Sequence, residues 1–143
     1  NYRNAWLPAL DKKSPIGEEE TLKQFASITF DVIARRVVPA EVVIELMKFL
    51  ADYVEPAIER GSGSGFIQYH YILGTLYERV GFQYGFDEYV ERAEKLFLEG
   101  LELGPTRPQF YYGLLDIYNH TNRPEKAMEF SEKILKYWPE GFE

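Results

Sequence analysis

Apolar and polar positions recur at helical spacing along most of the chain. Between residues 18 and 36, Leu22, Phe25, Ala26, Ile28, Thr29, Ile33 and Ala34 fall three and four apart. They form one apolar stripe behind an acidic start at Glu18, Glu19 and Glu20, which suits the positive end of a helix. A second helix is expected from Pro39, a good first-turn residue, to about residue 59. Its stripe is Val42, Val43, Leu46, Phe49, Leu50, Tyr53, Val54 and Ile58, and Pro56 should kink or fray its last turn. Four more helices are expected at about 66–82, 87–103, 108–121 and 124–137, punctuated by Gly104-Pro105, Pro124 and Pro139. Residues 1–10 suggest a further short helix around Tyr2, Trp6 and Leu7, limited by Pro8. No alternating run of strand length exists. The pattern predicts an all-α chain of antiparallel helix pairs with short turns.

Gly61-Ser62-Gly63-Ser64-Gly65 reads as a connector between the first pair and the rest, too short to argue for a second domain. Beyond it the chain repeats itself. Ala93 and Ala127, Leu96 and Phe130, Leu101 and Leu135, and Pro105 and Pro139 are each separated by thirty-four residues, the tetratricopeptide period. Leu73-Gly74, Tyr77, Ala93, Phe97, Gly100 and Pro105 occupy one unit; Tyr111, Leu114, Leu115, Tyr118, Ala127 and Pro139 occupy the next. In the second unit, Ser131 stands where a bulky residue is usual and Ile134 where a small one is usual.

These residues resemble the tetratricopeptide repeat (TPR) family. The resemblance covers about residues 67–139 and implies helix pairs stacked as a short TPR-like α-solenoid. Residues 1–143 are then expected to form one helical domain. Within it, 18–59 would be a divergent or capping pair, 66–105 a repeat with about seven extra residues, and 108–139 a second repeat. The extra residues lie around Val80 to Phe86. Seven residues are about two helical turns, so they either lengthen both helices by a turn or form a protruding aromatic loop.

Composition narrows the function. The 143 residues carry 16 Lys plus Arg against 23 Asp plus Glu, a formal charge of −7. That balance disfavours a nucleic-acid surface, which rests on clustered cations. With no Cys, disulfides, thiol catalysis and Cys-ligated metals are excluded. The longest apolar candidate, Val37 to Ile58, is broken by Glu41, Glu45, Lys48, Asp52 and Glu55, so no membrane insertion is expected. Because it starts at Asn1, the chain is expected to be a piece of a longer protein.

Catalytic signals are weak throughout. His70 and His120, the only two histidines, have no metal-binding spacing. Ser14, Ser27, Ser62, Ser64 and Ser131 stand in no nucleophile motif. Most acids, such as Glu88, Glu91, Glu94 and Glu99, fall at solvent-facing helix positions. The glycine-serine segment lacks the Lys and strand of a phosphate loop. No catalytic residue, metal or cofactor is expected.

In tetratricopeptide proteins the first helix of each pair lines a concave groove. The resemblance places Gln68, Tyr71, Ile72 and Thr75 there from the first unit, and Gln109, Tyr112, Gly113, Asp116 and Asn119 from the second. It aligns Gln68 with Gln109 and Tyr71 with Tyr112. These residues include no cation, and Asp116 would repel a terminal carboxylate, so a carboxylate clamp is disfavoured. The implied function is a non-catalytic scaffold for a protein or peptide partner, with a glycan as the other occupant that tyrosine faces suit. Phe130, Ile134, Leu135, Tyr137 and Trp138 cannot all face the preceding helix, which suggests a partner or self-association at the C-terminal helix.

A second, broader resemblance concerns layout. The run from Ser14-Pro15-Ile16-Gly17 through Phe25-Ala26, then Val38-Pro39-Ala40-Glu41-Val42-Val43 and into the repeats, is similar to the soluble C-terminal region of bacterial O-antigen ligase or polymerase-like membrane proteins. That resemblance implies an extracytoplasmic accessory domain of a glycan-transfer protein with multiple spans upstream. Without it, a cytoplasmic scaffold is expected.

Overall fold

Every periodic segment beyond residue 14 becomes a helix in the computed structural model, which describes residues 15–36, 38–59 and 66–141. Six helices and no strand occur among the described residues: α1 Pro15–Ala34, α2 Ala40–Glu59, α3 Phe66–Tyr84, α4 Asp87–Leu103, α5 Pro108–His120 and α6 Pro124–Tyr137. The expected short helix at 1–10 and the Gly61–Gly65 connector lie outside the described residues.

Breaker residues set the boundaries. Pro108 and Pro124 open α5 and α6, where a missing N–H costs nothing. Gly85, with φ of 74°, makes the tight turn between α3 and α4. Asn122, with φ of 55°, does so between α5 and α6. Pro56 does not end α2, which continues through it to Glu59.

Side-chain pairs define the packing. Gly81 faces Val90 and Gly74 faces Phe97, so α4 runs back along α3. Gly100 faces Phe110 and Gly113 faces Phe97, so α5 runs back along α4. Tyr118 meets Phe130, and Tyr111 meets Tyr137 and Trp138, so α6 runs back along α5. One continuous core runs from Leu22 in α1 to Ile134 in α6.

The first pair is more open than the sequence predicts. Phe25 and Phe49 meet edge to face at 5.4 Å. Two large rings at this contact hold the backbones apart, and α1 and α2 each dock on α3 more closely than on one another. The stripes shift accordingly. Ile28 and Val42 are exposed, and Ala34 is exposed as well, while Met47, Ala51 and Ala57 are buried instead.

The extra residues around Val80 to Phe86 lengthen the helices rather than forming a loop. They tie the N-terminal pair to the rest. The Gln83 amide donates to the Ile33 carbonyl at 2.8 Å, at the end of α1. The Tyr84 hydroxyl donates to the Val38 carbonyl at 3.1 Å, in the α1–α2 link. Phe82 stacks on His120, with ring centres 4.3 Å apart.

Candidate functional site

Helices α3 and α5 lie side by side and run parallel. Tyr71 meets Phe110 edge to face at 6.2 Å, Glu78 meets Asp116, and Phe82 meets His120. Each pair is offset by thirty-eight or thirty-nine positions in the chain. The repeat alignment pairs Gln68 with Gln109 and Tyr71 with Tyr112, two to three positions out of this spatial register. Between the two helices lies an open cavity of about 520 Å³.

Phe97 of α4 closes the cavity from below. Its ring is held edge-on between two glycines. A Cβ at Gly74 would lie 2.6 Å from Cε1, and one at Gly113 would lie 2.6 Å from Cε2. Only glycine at both places lets α3 and α5 approach the ring together.

The walls include most of the expected groove residues: Tyr71, Thr75, Gln109, Tyr112, Gly113, Asp116 and Asn119. Tyr71 is half-buried against Phe110, and Tyr112 stands at the rim, 44% exposed. The Thr75 hydroxyl donates to the Tyr71 carbonyl at 2.7 Å, which satisfies it within its own helix. Two of the expected residues lie elsewhere. Ile72 is buried in the core, because α3 packs against helices on several sides and its apolar face is wider than one stripe. Gln68 is half-buried near the start of α3 and does not line the cavity.

Glu78 is the functional candidate that sequence reasoning missed. It lines the cavity yet is only 9% exposed. Burial, then the hydrogen bond to Asp116 and the negative charge of that residue, push its carboxyl up to about 9, against an opposing pull from Arg79. Burial beside a second acid therefore keeps the proton on Glu78 at neutral pH. A helical signal existed, since Tyr71, Thr75 and Glu78 are four and three apart and share a face.

Asp116 has a second neighbour. The Nδ1 of His120 lies 2.9 Å from the Asp116 carbonyl and 3.3 Å from its Oδ1. A carbonyl can only accept, so Nδ1 carries the hydrogen. His70, by contrast, is buried, with Nδ1 donating to the Phe66 carbonyl at 3.0 Å. The two histidines do not converge. Among the described residues no group of three or more His, Asp or Glu is arranged as metal ligands are.

A second cavity, of about 560 Å³, opens between α2 and α4. There the Tyr77 hydroxyl donates to Glu55 at 3.1 Å and accepts from Arg92 at 3.5 Å. Burial is the main cause that pushes the Tyr77 phenol up to about 12, so it stays neutral and serves as a link in a hydrogen-bond chain.

The first cavity combines aromatic faces with amide and carboxyl groups, and among the described residues no Lys or Arg lines it. Such a surface can hold an extended chain through hydrogen bonds and stacking. Comparison with protein-family models, with curated proteins and with solved structures returns no match.

Proposed function

We propose that this chain is a non-catalytic scaffold that binds a protein or peptide segment along the groove between α3 and α5, with α3–α4 and α5–α6 acting as TPR-like units. The observation that carries this reading is the groove itself. It is an open cavity of about 520 Å³ between parallel helices, walled by Tyr71 and Tyr112 over a floor of Phe97. The floor is closely packed, because the ring lies against both flanking glycines. A closely packed aromatic surface lowers the ordering cost of binding. Gln109 and Asn119 in the walls offer donors and acceptors to a peptide backbone.

The test is selection of random peptides on the intact chain, followed by NMR mapping of the selected sequences. The expected footprint is Thr75, Gln109, Tyr112 and Asn119. Tyr112→Ala should weaken binding at least about tenfold, the loss of one well-placed aromatic contact, in protein that circular dichroism shows to be still helical. Peptides that map elsewhere, or that ignore Tyr71→Ala and Tyr112→Ala together, would remove the groove from the account. A glycan that shifts the same residues, with no peptide doing so, would replace the peptide by a sugar.

A further inference from the structure

We infer that the segment bound in this groove presents an arginine, whose guanidinium docks on the Glu78–Asp116 pair beside the ring of Tyr112. The inference rests on the reading of the groove as a peptide site and names the chemistry of its occupant.

Four observations lead there. First, Glu78 is nine-tenths buried and faces an open cavity. Its neighbour in the groove is a second acid, so as a carboxylate it would face a second negative charge. Secondly, among the described residues no Lys or Arg lines the cavity walls. The neighbouring Arg79 lies over the Phe30 ring, 5.3 Å from its centre, on the α1 side. Thirdly, Asp116 is half-exposed, so the pair is reachable from solvent. Fourthly, Tyr112 offers an exposed ring at the rim, and a planar cation stacks on such a face.

The groups acting on Glu78 are few. Asp116 faces it from α5, and Arg79 acts from its own helix. His120 reaches Asp116 from the end of α5, and α4 contributes the uncharged Phe97 to the same wall. In the empty groove a proton neutralises one of the two carboxyls. A bound guanidinium supplies the same single positive charge and adds two parallel N–H donors that match a carboxylate. The exchange balances: Glu78 releases its proton to solvent and the guanidinium takes its place between the oxygens. A neutral side chain can make no such exchange, and an acidic one adds a second negative charge to a groove whose two carboxyls share one proton.

Octapeptide mixtures with a fixed central Arg, Lys, citrulline or Glu test this on the intact chain. The Arg mixture should bind at least about tenfold more tightly than the citrulline mixture, which keeps the shape and loses the charge. Calorimetry near pH 7 in two buffers of different ionisation enthalpy should show proton release on binding of the Arg mixture. Glu78→Gln should abolish that release, and Asp116→Asn, at a half-exposed site, should reduce the preference for Arg over citrulline. Binding that is sensitive to Tyr112→Ala but equal for Arg and citrulline would overturn this inference and leave the groove reading standing. A preference for Lys over Arg would overturn the guanidinium assignment. No mixture sensitive to Tyr112→Ala would remove the groove reading and this inference with it.

Discussion

Glu78 of α3 lies beside Asp116 of α5 in the wall of the groove, a buried acid next to a half-exposed one. The consequence is a stability that depends on pH. An unfolded Glu78 ionises near 4.5, whereas the folded residue ionises at about 9. Below the lower value both states hold the proton. Between the two values only the folded state holds it, so this residue's contribution to stability falls as pH rises through that window. Above about 9 neither state holds it and the penalty is complete.

Glu78→Gln should remove that dependence. Relative to the wild type, the variant should gain about 1–3 kcal/mol between pH 5 and 9, the range for an uncompensated buried polar group. Urea unfolding of both proteins across that range is the measurement. A difference that does not change with pH would assign the proton elsewhere.

Phe97 cannot yield to one glycine without striking the other. A Cβ at Gly74 or at Gly113 would sit 2.6 Å from opposite edges of its ring. Alanine gains about 1 kcal/mol in helix propensity, but overpacking costs about 1–3 kcal/mol. Each of Gly74→Ala and Gly113→Ala should therefore lower the melting temperature, despite alanine being the better helix former. Phe97→Leu in the same chain should recover some of the loss, giving a non-additive cycle. A stabilised Gly113→Ala protein would mean that the ring has room to move.

Gln83 and Tyr84 hold the N-terminal helices from the lengthened end of α3. Gln83→Ala leaves the Ile33 carbonyl without that donor, and Tyr84→Phe does the same for Val38. Each should cost about 1 kcal/mol. Amide exchange should accelerate in α1 and leave α5 unchanged. Equal acceleration in both would show that the two ends of the core open together.

At the far end, Met128, Leu135 and Tyr137 are exposed, Leu135 at 66%. Phe130 and Ile134 face inward instead, and Trp138 packs against Tyr111 with ring centres 5.3 Å apart. Leu135→Glu should change stability by less than about 0.5 kcal/mol, as surface substitutions do. Sedimentation of wild type and variant then reports on self-association. Concentration-dependent association lost in the variant places the contact on this face; a dimer that survives the change places it elsewhere.

Much of the helical layout could be read from the chain. The spacings around Leu22, Val43, Leu73, Phe97 and Leu114 predicted positions that are buried. The helices expected at about 108–121 and 124–137 both occur, opening on Pro108 and Pro124. The errors have a common origin. Ile28 and Val42 belong to apolar stripes by spacing, yet the open packing of α1 and α2 leaves them in solvent. Ile72 looked like a groove residue, yet α3 is flanked on too many sides to keep that face free. Glu78 is set apart from the other acids only by the packing of α5 beside α3.

Helix positions and most buried faces follow from sequence alone, because periodicity, proline and positive-φ turn residues act within a few residues of themselves. The meeting of Glu78 with Asp116 does not. It depends on the offset between α3 and α5, which both pack against the ring of Phe97. Packing across three helices buries one acid beside another, and that desolvation, invisible in either residue's neighbours along the chain, gives the groove its chemistry.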